Sequence, residues 1–274
     1  MAETQYTRQT VLARTEWVPG KLFSLRVTRP EGFEFVAGQF ARLGLPQAGP
    51  GENGAPASPA DPAQQPAPTV WRAYSMVSGA REPWLEFYSV VVPEGQFSPL
   101  LARLQEGDGL YVDRTAFGFL TLERFADGQD LWLIASGTGL SAYLSMFRDG
   151  EPLRRFQRVV LVHGVRSAQE LAYRDQILAW QREAGTLDGQ QRLVYLPIAS
   201  RETLPGAPQS RITPLLADGR LEAAAGLALD PARSRIMLCG NPGLLADARA
   251  LLKTRGFAPG RRGVPGNLAV ENYW

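Results

Sequence analysis

Hydrophobic and polar positions change their period part-way along this chain. Residues 7–45 read as short strands broken by turns. Phe23-Ser24-Leu25-Arg26-Val27 alternates apolar and polar, as a half-buried strand does, and Ala37-Gly38-Gln39-Phe40-Ala41-Arg42-Leu43 does the same behind a glycine turn. The alternation resumes in Trp71-Arg72-Ala73-Tyr74-Ser75-Met76. It continues in Leu85-Glu86-Phe87-Tyr88-Ser89-Val90-Val91-Val92, which Pro93-Glu94-Gly95 ends, and in a last strand from Gly109 to Asp113. Strands so closely spaced predict an antiparallel barrel or sandwich. Residues 98–104 predict a short helix, with Ser98 as N-cap and Pro99 at the first helical position.

After about Asp127 strands alternate with helices. Leu131-Trp132-Leu133-Ile134-Ala135 and Val159-Val160-Leu161-Val162-His163-Gly164 are almost wholly apolar, as expected of strands covered on both faces. Residues 193–200 and 235–240 predict two more such strands, and residues 140–148, 167–182 and 242–255 predict helices. This pattern specifies a doubly wound parallel sheet, which binds ligands beyond the carboxyl ends of its strands. The expected fold is therefore two-domain: an antiparallel β-barrel over residues 1–126, then an α/β parallel-sheet domain over residues 127–274. No internal repeat is visible.

Residues 46–69 break the strand pattern with Gly, Pro, Ala and Gln and almost no large apolar side chain. Such a segment buries too little surface to offset its ordering entropy. Strands resume at once after it, so it reads as a flexible hairpin insertion, either inert or a functional lid.

Composition narrows the functions. At 274 residues two domains fit better than one. No apolar run reaches membrane-spanning length, the first ten residues show no secretory signal, and cytoplasm is the expected location. Cys239 is the only cysteine, which excludes an intrachain disulfide and any four-thiolate zinc or iron–sulfur site. A net charge of +2 gives no argument for nucleic acid. The cations are nearly all Arg, which suits phosphate recognition or records a GC-rich genome.

The chemistry converges on a phosphorylated, flat ligand. Arg72-Ala73-Tyr74-Ser75 puts a forked cation, a stacking ring and a hydroxyl within four residues, although a plain edge strand would read the same way. The start of the helix at Ser98 is a seat for pyrophosphate or simply a capped end. Ser136-Gly137-Thr138-Gly139 is a close-approach loop between a buried strand and a helix. Arg166, Arg201 and Arg211 each follow a strand end, where they suit the 2′-phosphate of NADP or are merely solvated. In Cys239-Gly240-Asn241-Pro242, Asn241 caps the next helix; Cys239 is a small buried hydrophobe or sets its sulfur against a nicotinamide. His163, the single histidine, reads as structural. Val270-Glu271-Asn272-Tyr273-Trp274 offers two rings and one carboxylate, as a groove plug or as stacking faces, with Glu271 the candidate acid.

Taken in order, these motifs resemble a bacterial-type ferredoxin–NADP(+) reductase, also known as flavodoxin/ferredoxin reductase. The likeness covers nearly all of the chain outside residues 46–69. The resemblance implies that Arg72, Ala73, Tyr74 and Ser75, the segment Tyr88, Ser89, Val90 and Val91, and Gln96, Phe97 and Ser98 hold FAD non-covalently. Tyr74 and Tyr273 would sandwich the isoalloxazine, Ser75 would bond the flavin N5 side, and Trp274 would stack on the adenine. Thr138 and Cys239 would flank the nicotinamide, and Val165, Arg166, Ser200, Arg201, Arg211, Asn241, Pro242, Gly243 and Asp247 would hold the rest of NADP(H). Ser75, Cys239, Glu271 and Tyr273 are the implied catalytic set. Two departures stand out: Ala142 occupies a position that is usually Pro, and residues 46–69 replace a short turn.

The implied activity is hydride transfer between NADPH and flavin, with single electrons passed to ferredoxin or flavodoxin. A monomer with no metal, no nucleic acid and no membrane partner is expected. Two alternatives stay open: a same-fold reductase feeding an oxygenase or reducing free flavin or quinone, and a flavin- or nucleotide-binding sensor without turnover.

Overall fold

The computed structural model describes residues 5–46, 67–261 and 264–272. Six antiparallel strands come first: β1 (Tyr6–Val18), β2 (Leu22–Thr28), β3 (Phe40–Leu45), β4 (Val70–Ser75), β5 (Trp84–Val90) and β6 (Gly109–Asp113), in the order β4-β3-β6-β1-β2-β5. Where short strands were expected, β1 is one long bent strand that pairs β6 through residues 6–10 and β2 through residues 11–18. Its register shifts after Val11 and after Glu16, and irregularities of this kind bend a strand from one sheet into the next. The two ends of the order meet at the Met76–Phe87 bridge and at Val77 N–H to Glu86 O (2.7 Å), which closes the barrel. Residues 37–39 are not strand; Gly38 turns there at φ +103°, and a Cβ on it would lie 2.1 Å from Leu120 O.

The barrel is filled by Phe23, Leu25, Leu43, Phe87, Val112 and their neighbours, with Leu101 of α1 (Ser98–Leu101) among them. That helix is a single turn rather than the expected span to residue 104. Ser98 is not its N-cap either, because its hydroxyl accepts the Val92 N–H at 2.9 Å.

The second unit holds β7 (Asp130–Ser136), α2 (Ser141–Arg148), α3 (Glu151–Arg155), β8 (Arg158–Val165), α4 (Arg174–Ala184), a small hairpin β9 (Thr186–Leu187) and β10 (Gln190–Gln191), β11 (Leu193–Ala199), α5 (Ile212–Ala217), α6 (Arg220–Ala225), β12 (Ser234–Gly240), α7 (Pro242–Thr254) and β13 (Leu268–Asn272). The five long strands are parallel, in the order β11-β8-β7-β12-β13. Alternate residues supply two cores. Leu131, Leu133, Val159, Leu161 and Met237 pack with α2 and α4, while Trp132, Ile134, Val160, Ile236 and Leu238 pack with α5, α6 and α7. The helix expected over residues 167–182 is interrupted. A 3-10 turn, Ala168–Glu170, is followed by Tyr173 at φ +59°, and α4 starts only after it. A left-handed tyrosine is strained. The conformation lets its ring insert between the two units, against Trp17 (4.6 Å) and edge-on to Tyr88 (5.4 Å).

The first core continues into the barrel through Val18, Leu22, Val77, Tyr88, Leu120 and Phe125. A polar knot lies beside it. Buried Glu86 of β5 accepts from Tyr173 Oη (2.8 Å), from Arg148 Nη1 at the end of α2 (2.9 Å) and from Arg26 Nη2 (3.1 Å). Ser145 Oγ adds a bond to Ser78 O at 2.7 Å. Burial works against ionising Glu86, yet these donors hold its pKa below the ordinary 4.5. No described helix is long and apolar enough to cross a membrane.

Candidate functional site

Strand order locates the site. From β7 the chain moves to β8 and β11 on one side and to β12 and β13 on the other, so the topological switch lies between β7 and β12. The loops that leave these two strands interlock. Ser136 Oγ accepts both the Asn241 N–H and its side-chain amide, each at 3.0 Å. A Cβ on Gly139 would lie 2.6 Å from Cys239 O, and one on Gly240 (φ +144°) would lie 2.1 Å from Ser136 Oγ. Glycine is therefore required because two backbones nearly touch. Thr138 sits half-buried in the 3-10 turn Gly137–Leu140, which Ser141 Oγ ties to Thr138 O at 2.8 Å. That bond anchors the start of α2 where Ala142 stands. Asn241 caps α7 as expected, its Oδ1 accepting Leu244 N–H at 2.9 Å, with Pro242 at the first helical position and Gly243 following, both exposed.

Cys239 is fully buried, on the face of β12 that turns towards α2 and the barrel. Its cross-strand neighbour on β13 is Glu271. The carboxylate reaches the barrel, because a Cβ on Gly118 would lie 2.9 Å from Glu271 Oε1 and equally close to the Phe40 ring. Phe40 in turn pairs with Ser75 at the end of β4. Register and close approach thus bring Ser75, Phe40, Gly118, Glu271 and Cys239 to one junction. A groove of about 340 Å³ flanks it, walled by β13, Phe119, Arg124 and Arg249.

On the barrel side Tyr74 packs on the barrel core, its hydroxyl accepting from Ser89 Oγ at 3.3 Å and its ring 5.8 Å from Phe97. Burial raises its pKa. Arg72 lies two residues back on the same face, exposed, with Nη1 on Trp71 O at 2.8 Å; Ala73 is exposed between them. Val90 and Val91 are half-buried and Gln96 is exposed. The buried hydroxyls of Ser75 and Tyr88 have no partner among the described residues. Such an orphan costs about 1–3 kcal/mol unless a ligand satisfies it. For Ser75, next to Tyr74 in a strand that also carries the exposed Arg72, a flat heteroaromatic ligand with phosphates fits the donors present. The Tyr88 ring, in contrast, is packed into the junction against Tyr173.

The arginines gather two strands away. Ser200 N–H bonds Val165 O and Arg201 N–H bonds Arg166 O, both at 3.0 Å, so the ends of β8 and β11 present Arg166 and Arg201 side by side and exposed. Exposed Arg211 opens α5, whose Ile212 packs over Gly164 at the end of β8. Asp247 lies exposed on α7, which follows β12 on the far side of β7. His163 is fully buried and bonded to Tyr195 Oη (3.2 Å), and burial lowers its pKa to about 4, so it is neutral and structural at pH 7. Tyr273 and Trp274 lie outside the described residues. Sequence reasoning missed Glu86, Arg148, Lys21 and Glu170. A charged residue inside the apolar run at residues 85–92 was the one signal available, and it pointed to Glu86.

Residues 133–250 match the family described as oxidoreductase NAD-binding domain. A ferredoxin–NADP reductase A of Sorangium cellulosum is 41% identical over 270 residues, covering 97% of this chain and 89% of that protein. The flavodoxin/ferredoxin–NADP reductase of Escherichia coli K12 is 37% identical, covering 94% and 99%. The crystal structure of a ferredoxin NADP+ reductase from Neisseria gonorrhoeae with bound FAD and NADP superimposes with a TM-score of 0.86 at 32% identity, covering 99% of this chain and all of that one. At these identities and coverages, the chain belongs to the ferredoxin/flavodoxin–NADP reductase family.

Proposed function

We propose that this chain is an FAD-dependent oxidoreductase that links NADP(H) to ferredoxin or flavodoxin. The observation that carries the reading is the unpartnered, buried Ser75 hydroxyl, whose cross-strand partner Phe40 meets Gly118 beside Glu271 of the nucleotide unit. When bound, FAD supplies the exchange between a hydride from nicotinamide and single electrons for the protein partner. The chain's own residues bind, orient and exclude water. In this reading Tyr74 and Tyr273 give the flavin ring its two faces, and Ser75 donates to the N5 side. Arg72, with the segments 88–91 and 96–98, holds the ribityl and pyrophosphate, and Trp274 stacks on the adenine. Thr138 and Cys239 shape the nicotinamide pocket, and Glu271 handles the proton. Val165, Arg166, Ser200, Arg201, Arg211, Asn241, Pro242, Gly243 and Asp247 hold the remainder of NADP(H).

The barrel unit is assigned residues 1–126 and the nucleotide unit residues 127–274, a division supported by the sheets, which end at Asp113 and begin again at Asp130. A cytoplasmic monomer without nucleic-acid or membrane partners completes the proposal. The visible spectrum of the purified protein tests it. A yellow protein bleached by NADPH without oxygen is expected. A colourless preparation that FAD cannot reconstitute would overturn the reading, and a yellow protein that NADPH fails to bleach would favour a sensor.

A further inference from the structure

We infer that Lys21 is a positioning residue that couples the flavin-side segment to the arginine pair. The inference rests on the reading of Arg166 and Arg201 as the 2′-phosphate site. Lys21 occupies the turn between β1 and β2, and its backbone is fixed at both ends. Its N–H donates to Val18 O at 3.0 Å, and its carbonyl accepts the Val91 N–H at 2.8 Å, directly after β5. Its ammonium crosses to the other unit and donates to Glu170 Oε1. The second oxygen of the same carboxylate accepts the Arg166 backbone N–H at 2.9 Å. Arg166 O then receives Arg201 N–H at 3.0 Å. One unbroken series of hydrogen bonds thus runs from Val91 through Lys21 and Glu170 to both arginines.

Two physical consequences follow. The loop after β8 spends two of its N–H groups on protein carboxylates, Arg166 on Glu170 and Ala168 on Glu202, which leaves the guanidinium groups as the main donors for an incoming phosphate. Glu170 also lies at the foot of that loop as a negative charge. Its burial opposes ionisation, but Lys21 and the Arg166 N–H hold the carboxylate ionised, and Lys21 cancels its field towards the phosphate site. Removing Lys21 would unmask this charge and free the loop, and both effects weaken phosphate binding selectively. The Lys21 side chain is 40% exposed and that of Glu170 11%, so screening keeps the effect modest.

The test is calorimetric titration of the FAD-loaded protein with NADP+ and with NAD+, which differ only in the 2′-phosphate. K21M should weaken NADP+ binding about three- to five-fold, the scale of one partly exposed ion pair, and leave NAD+ binding unchanged. K21R should restore the difference, and E170Q added to K21M should return part of the lost NADP+ affinity, because no unmasked carboxylate then faces the phosphate. Equal weakening of both nucleotides by K21M would overturn the inference in favour of a general scaffold role, and so would unchanged NADP+ affinity. R166A separates the two levels of inference. If it lowers NADP+ affinity while K21M does not, only the coupling fails; if R166A also changes nothing, the phosphate reading fails with it.

Discussion

Replacing Arg148 with Met probes what joins the two units. Arg148 and Glu86 have side chains only 10% and 6% exposed and meet at 2.9 Å. Removing one member of a buried pair usually costs about 3–5 kcal/mol. Here Glu86 keeps Tyr173 at 2.8 Å and the half-exposed Arg26 at 3.1 Å, so about 2–3 kcal/mol is expected, just below that range. For a chain of this length that lowers Tm by roughly 4–12 °C at pH 7. The pH dependence is the sharper readout. In the wild type the Glu86 pKa is held below 4.5, so its stabilisation is complete above that pH and disappears as pH falls through the folded value. In R148M, burial without its closest cation pushes Glu86 the other way. The ionised carboxylate then destabilises at pH 7, and acidification relieves the cost. Thermal unfolding followed by circular dichroism should therefore show the gap between wild type and R148M narrowing from pH 7 to pH 4. In a double-mutant cycle, R148M with E86Q should be less destabilising than the sum of the two. A gap below 2 °C, a gap that does not vary with pH, or additive mutants would each refute this account.

Three further outcomes follow from the same geometry, and a fourth, at Tyr273, from the resemblance to the reductase family. Ser75→Ala should leave the Tm of the flavin-free protein unchanged or raised, since the hydroxyl has no partner, yet slow NADPH oxidation by roughly 10–100-fold in stopped flow. Gly139→Ala should lower both Tm and NADP+ affinity, because its Cβ would lie 2.6 Å from the Cys239 carbonyl; Gly137→Ala, with open space around it and only φ +55° to strain it, should cost about 1–2 kcal/mol. His163→Leu should flatten the acid side of the Tm–pH curve. The unfolded histidine gains its proton near pH 6.5 and the folded one near 4, so the wild type loses stability as pH falls across that window, by about 3 kcal/mol at the lower end. Tyr273→Ser should tighten NADP+ binding and slow its release, and unchanged affinity in a titration would count against a gating ring.

The strands of both sheets were legible where apolar residues ran together or alternated, as at residues 131–135 and 23–27. What escaped had tertiary causes. The length of β1 is hidden by its half-buried arginines, its exposed glutamate and irregularities that shift its faces. Strand β13 is five residues whose partner lies on β12, some thirty positions earlier. Nothing local marks Tyr173 as a break; its left-handed backbone follows from the pocket its ring fills between Trp17 and Tyr88. Ser98 looked like a cap until Val92 claimed its hydroxyl. At the site, glycines announced the switch-point loops because close approach demands them. Lys21 and Glu170 are 149 positions apart, and no sequence period relates them.

The pairing of β3 with β4 bears on how this scaffold tolerates change. Leu45 faces Val70 in the ladder, and Thr69 N–H closes onto Leu45 O at 3.0 Å, so the two strand ends that residues 46–69 connect are held together by the ladder itself. Closing such a connection depends only logarithmically on its length, and a four-fold shortening would gain about 1.2 kcal/mol. A change in the length of this connection therefore alters the closure cost little, and the barrel's ladder at Leu45 and Val70 does not depend on it.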